Sequence, residues 1–204
     1  MRKYNPYSKP IRLFQNERLE RLTVITPLGF ALAWAPILPF IAWIAWDTAS
    51  ALGAALLIGA GLLFWGLFEY ALHRYAFHWQ PKSALMKQFV FIMHGNHHDD
   101  PNDPHRNLMP PIASMPIAAT IWLILFALLG DFAHWFFLGF ILGYLAYDML
   151  HYACHQWPMK GRLGMMFKRH HMRHHHSRKP GNYAVSTLFF DRLFGTHLTS
   201  LKQG

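Results

Sequence analysis

Residues 132–155 read FAHWFFLGFILGYLAYDMLHYACH. No Asp, Glu, Lys or Arg appears from Phe132 to Tyr147; Asp148 then arrives, and His151 and His155 follow four positions apart. Four-residue spacing puts both imidazoles on one face of a helix. The stretch therefore reads as an apolar helix that ends in a pair of metal-ligand side chains. An earlier run has the same plan, Ala51 to Phe68, which ends in Glu69 and Tyr70 and leads into His73 and His78.

Two more apolar runs complete the set. Val24 to Trp46 is 23 residues without a charge, enough to cross ~30 Å of hydrocarbon at ~1.5 Å per residue. Pro27, Pro36 and Pro39 are expected to kink it, which neighbouring helices tolerate in a membrane. Ile112 to Leu129 is interrupted near its start by Pro116. Turns at Asp47–Ser50 and Gly130–Asp131 join the runs into two hairpins. The expected fold is all-α: a membrane bundle of four transmembrane helices at about 24–46, 51–70, 112–129 and 132–150. A His-rich helical cytosolic cap from 73–111 and 151–204 completes a single domain over 1–204. In residues 1–23, Ile11, Phe14, Leu19 and Leu22 alternate with Arg12, Arg18 and Arg21, as in a short helix lying at lipid headgroups. That segment is polar and basic, without the apolar core of a secretory leader.

Charge orients the bundle. Of the 19 Lys and Arg, six lie in 1–23, four in 73–111 and nine in 151–204, and the two short turns carry none. Under the positive-inside rule both termini and the middle segment face the cytoplasm, and every histidine group lies on that side. The net charge of +9 thus points to a membrane surface, not to nucleic acid. The single cysteine, Cys154, excludes an internal disulfide and reads as a small packed residue.

The ten clustered imidazoles are His73, His78, His94, His97, His98, His151, His155, His171, His174 and His175. Ten are too many for one metal ion and suit two sharing a site. The triples 94/97/98 and 171/174/175 can each converge on one point of a helix face, and 151/155 can clasp an ion. His73 and His78, five apart, fall about 140° apart on an ideal helix; they serve opposite sides of the site or lie where the helix is broken. Glu69 stands four residues before His73 and Asp148 three before His151, placed to accept an imidazole N–H and fix its tautomer. His105, His134, His170, His176 and His197 are read as non-ligands. Imidazole suits iron, zinc and copper alike. A zinc hydrolase needs only three ligands and an open position. Two ions beside a bilayer suit dioxygen activation and attack on an unactivated C–H bond of a lipid, which needs a redox metal and electrons.

The stretches EYALHRYAFH (69–78), HGNHHDDPND (94–103), RNLMPP (106–111), GYLAYDMLHYACH (143–155), HHMRHHH (170–176) and FFDRLFGT (189–196) resemble the fatty acid hydroxylase superfamily, most closely its fatty acid 2-hydroxylase branch. The resemblance implies a four-helix membrane anchor under a cytosolic cap, with the ten histidines as ligands of a dinuclear centre. It implies iron for activity, with zinc able to occupy the site, and dioxygen-dependent hydroxylation at carbon 2 of a long acyl chain, free or within a sphingolipid. Eukaryotic 2-hydroxylases often carry a fused cytochrome b5 domain with a His-Pro-Gly-Gly motif, which is absent from these 204 residues. A separate electron donor, a cytochrome b5-like protein or a ferredoxin with its reductase, is therefore expected. A sterol or carotenoid oxidase or desaturase is the alternative within this chemistry. A metal transporter would place ligands at mid-bilayer, where the first three runs have no His, Asp or Glu. A catalytically dead metal-binding scaffold is the remaining reading.

Overall fold

The computed structural model describes residues 11–201, and among them every regular element is helical. The reading of residues 1–10 as part of a headgroup helix lies outside the described residues. A short α1 (Glu17–Arg21) starts at Asn16, whose side chain accepts from Arg18 N and Leu19 N. The first apolar run forms α2 (Pro27–Trp34) and α3 (Ile37–Ala45), which break at Ala35–Pro36. Pro27 causes no kink. It occupies the first turn, where no N–H is needed.

Ser50 caps α4 (Ala51–Ala71) by accepting from Gly53 N, and the helix continues without a break as a π-helical turn, Leu72–Phe77. After α5 (Ala84–Val90), a second π-turn (Phe91–Gly95) leads into α6 (Asn96–Asp99). The second hairpin is α7 (Pro111–Leu129) and α8 (Phe132–Gln156); α9 (Arg162–His176) and α10 (Phe189–Leu193) complete the cap. Four helical stretches are long and apolar enough to cross a membrane: Pro27–Ala45, Ala51–Phe77, Pro111–Leu129 and Phe132–Gln156. The second and fourth run past the expected ends at 70 and 150, so they carry their histidines on the same rods that span the bilayer.

α8 is the central helix and packs against α3, α4 and α7. Its backbone touches that of α4. A Cβ at Gly139 would sit 2.1 Å from Ile58 O, and one at Gly61 would sit 2.0 Å from Phe136 O. In lipid, where burial of apolar surface drives little, such close approach between small residues holds helices together. Below it, Trp65 meets Phe140, Tyr144 and Tyr147 at ring-centroid distances of 5.1–5.5 Å. Leu28, Leu63, Leu123 and Leu128 point outward and stay exposed, as a lipid-facing surface requires.

Candidate metal centre

The π-turn at 72–77 answers the five-residue spacing. His78 N donates to His73 O, five residues back, at 3.3 Å. The wider turn brings the two rings, which an ideal α-helix would splay, onto the same side, and their Nε2 atoms lie 3.3 Å apart. The second π-turn sets up His94, and the Asn96 side chain donates to Phe91 O and Ile92 O in that widened turn.

All ten histidines come together, as two groups of five whose ligand atoms lie within 4.8 Å of one another. One holds His73, His78, His94, His98 and His174; the other holds His97, His151, His155, His171 and His175. The expectation that each triple converges on one point is corrected. His97 leaves His94 and His98 for the second group, and His174 leaves His171 and His175 for the first. Residues i and i+4 are ~40° apart on a helix, whereas i+3 and i+4 are ~100° apart, so neighbouring members face different groups. The groups abut, with His98 and His175 stacked at 4.2 Å.

The donor set fits metal ions. His73 Nδ1 faces Tyr183 O at 2.5 Å and His174 Nδ1 faces Gly181 O at 2.8 Å. A carbonyl only accepts, so each Nδ1 carries the proton and each Nε2 presents a bare lone pair. Those two lone pairs face further ring nitrogens, His73 to His94 at 3.0 Å and His174 to His78 at 3.0 Å and His98 at 3.1 Å, and His98 lies 3.0 Å from His94. In the second group His151 meets His97 at 2.8 Å and His155 meets His171 at 2.8 Å. Converging lone pairs repel unless a cation lies between them. Ring nitrogens ~3 Å apart are close enough to share one cation, since a metal–imidazole bond is ~2.1 Å long. Burial first, and neighbouring imidazoles second, hold His94, His97, His171 and His175 far below the ordinary imidazole range. Burial likewise brings His174 to about 3, His78 to about 4 and His98 to about 2. The rings are therefore neutral, the form that ligates.

Glu69 and Asp148 do not touch the imidazoles, which corrects the expected carboxylate–histidine contact. Both are buried, so neither snorkels to water. Glu69 accepts from Val185 N, Ser186 N, Ser186 Oγ and Trp65 Nε1. Asp148 accepts from Met109 N and Tyr144 Oη. Each pins a loop, and the loop orients the rings: residues 181–183 offer carbonyls to His73 and His174, and Asn107 Oδ1 meets His97 Nδ1 at 3.2 Å. Spacing along a helix showed where each carboxylate stood. It could not show that unpaired loop N–H groups would claim it first.

Sequence reasoning missed Asn107, Asn182 and Asp191. Asp191, fully buried, accepts from Tyr183 N, Ala184 N and Thr196 Oγ1 and pairs with His170 Nε2 at 3.0 Å. Asn182 takes the left-handed conformation with φ 53° and ties Leu198 to the turn. A carboxylate flanked by aromatic residues in FFDRLF was the available signal for Asp191. His105, His134, His170, His176 and His197 lie outside both groups, as does buried Cys154.

Two cavities adjoin each other, and the first of them reaches the centre. One, of about 260 Å³, is lined by His94 of the first group and His97 and His151 of the second, with Thr23, Arg106 and Asn107. The other, of about 170 Å³, is almost wholly apolar and lies among α4, α5, α7 and α8. Phe77, Met93, Met109 and Tyr147 line both. Leu13, Phe14, Leu19 and Leu22 close the first from outside. Glu20 holds that flap by accepting from Leu13 N and Phe14 N and pairing with Arg106 at 2.5 Å.

Residues 58–196 match the sequence profile of the family described as fatty acid hydroxylase. The chain is 30% identical over 216 residues to fatty acid 2-hydroxylase of Rattus norvegicus, covering 95% of this chain and 58% of the relative. It is 33% identical to ceramide very long chain fatty acid hydroxylase SCS7 of Saccharomyces cerevisiae, covering 97% of this chain and 51% of that protein. The chain thus spans little more than half the length of these relatives. A solved structure of full-length scs7p, in which only the hydroxylase domain is visible, superposes with a TM-score of 0.84 at 32% identity, covering 93% of this chain and 72% of that one. With its membrane helices and paired histidine groups, the chain belongs to the fatty acid hydroxylase family.

Proposed function

We propose that the protein hydroxylates long-chain fatty acyl lipids at carbon 2, with a sphingolipid acyl group as the preferred substrate. The ten histidines would hold two metal ions, five donors each, with iron as the active metal. Bound iron would supply dioxygen activation and the power to attack an unactivated C–H bond, with electrons from a cytochrome b5-like or ferredoxin-type donor. The observation that carries this reading is the shared wall of the two cavities. An acyl chain lying in the apolar cavity has its polar end directed to Thr23, Arg106 and Asn107, and the carbons next to that end pass His94, His97 and His151. Phe77, Met93, Met109 and Tyr147 grip the chain there, and the flap over Glu20 and Arg106 excludes water. The relatives' names, fatty acid 2-hydroxylase and ceramide very long chain fatty acid hydroxylase, support the same position and substrate class. The grouping of Lys and Arg supports a centre on the cytoplasmic side.

Iron-loaded protein supplied with a reductase system and a panel of acyl lipids tests the proposal by mass spectrometry of the products. A 2-hydroxyacyl lipid is the expected product. Oxidation of a sterol or carotenoid, or desaturation with no 2-hydroxy acid, refutes it.

A further inference from the structure

A second polar recess, remote from the acyl cavities, lies between the outer face of α9 and α10. Its volume is about 620 Å³, and Arg162, Arg169, Arg173 and Arg192 line it. None of these four guanidiniums takes part in an ion pair among the described residues. Asp191, next to Arg192, is already committed to two backbone N–H groups, Thr196 and His170. Four unneutralised guanidiniums around one recess form an anion site, and planar guanidinium is suited to phosphate oxygens.

The recess also has a wanting polar wall. His170 is 1% exposed, its Nε2 is held by Asp191, and its Nδ1 is buried without a partner. His197 stacks on it at 5.4 Å, and its Nδ1 is likewise unpartnered. A buried ring nitrogen left unpaired costs free energy; a hydroxyl or ammonium hydrogen carried beside a phosphate would satisfy it. The surroundings indicate which phosphate. Leu163 and Met166 line the same recess and are exposed, as are Phe189 and Leu193 on α10. α10 packs on the membrane-spanning helix α4, where Phe190 meets Gly66. Arginines beside exposed leucine and phenylalanine at the end of a membrane helix are the composition of a headgroup boundary.

We propose that this recess binds the phosphate of an anionic phospholipid headgroup, with Arg162, Arg169, Arg173 and Arg192 on the phosphate and His170 and His197 on the headgroup hydroxyl. The site is separate from the metal centre and seats the cap on the bilayer surface. The full chain in detergent, titrated with phosphatidylglycerol, phosphatidylcholine or inorganic phosphate, tests it by native mass spectrometry and melting temperature. Phosphatidylglycerol is expected to be retained at least tenfold more strongly than phosphatidylcholine. Arg162→Gln with Arg192→Gln should abolish the preference while leaving the melting temperature in phosphatidylcholine unchanged. Arg162→Lys with Arg192→Lys should keep most of it. Should the double Gln variant fail to fold, Arg192→Gln alone is read in the same way. Equal retention of the two lipids, an unaltered preference in the Gln variants, or equal protection by inorganic phosphate overturns the proposal. So does capture of an acidic soluble protein, probed with cytochrome b5, that these Gln variants abolish without any lipid preference in the parent.

Discussion

Glu69→Gln is expected to loosen one metal ion and leave the other. Oε1 of Glu69 accepts from Val185 N at 2.5 Å and Ser186 N at 3.0 Å, while Oε2 faces Ser186 Oγ and Trp65 Nε1. An amide oxygen in the Oε1 position keeps the first two bonds. The amide nitrogen then faces the Trp65 N–H, so a charge-assisted bond is lost and a buried donor is left unpaired, about 1–3 kcal/mol. The loop so loosened carries the carbonyls of Gly181 and Tyr183, which reach only His174 and His73. Both rings belong to the first group. If ~1.4 kcal/mol of the loss appears in metal binding, affinity falls about tenfold for that ion alone. Asp148→Asn is the mirror experiment, since the Asp148 loop bears Asn107, which orients His97 of the second group. Metal per chain, measured by elemental mass spectrometry against rising chelator, should fall in two separated steps for each variant. Adding His78→Ala to Glu69→Gln should cost no further ion, whereas adding His155→Ala should cost the second. Simultaneous loss of both ions in Glu69→Gln, or the reverse pattern in the double variants, refutes the reasoning.

Gly139→Leu places a side chain where Ile58 O already lies 2.1 Å from the Cβ position. Separating α4 from α8 should cost at least ~1–3 kcal/mol, seen as a lower melting temperature in detergent. Ile121→Trp narrows the apolar cavity and should shift the hydroxylated products towards shorter chains; an unchanged chain-length profile counts against that cavity as the acyl site. In metal-free protein, burial lowers His78 to about 4 and His174 to about 3, against 6.5 when exposed. The unfolded chain then binds more protons between those values, so stability is complete above pH ~6.5 and declines as pH falls towards 4. Chemical denaturation of the metal-free protein at pH 7.5 and pH 5 checks this, with a lower midpoint expected at pH 5.

Helical periodicity and charge placement made the bundle legible in the sequence, because apolar blocks and Lys/Arg clusters are properties of contiguous residues. The ten imidazoles were legible for the same reason. Their division into two sets was not, since adjacent helix positions face ~100° apart and only the packing of α9 against α8 and α6 decides which set each joins. Nor were the groups that orient the rings, because a backbone carbonyl has no letter of its own: Gly181 and Tyr183 act through oxygens that every residue carries. The spacing of His73 and His78 is the instructive middle case. Five residues read as a misfit on an α-helix, and the chain resolves it with a π-turn in which i and i+5 take the place of i and i+4. That equivalence has a consequence. Deleting exposed Tyr75 should let the turn relax to α with the two histidines four apart, still on one face, and both ions retained. Inserting an alanine after Tyr75 should swing His78 out of the first group and cost one ion. Metal content separates the cases, and a deletion as damaging as the insertion would mean that the π-turn does more than set the register of these two rings.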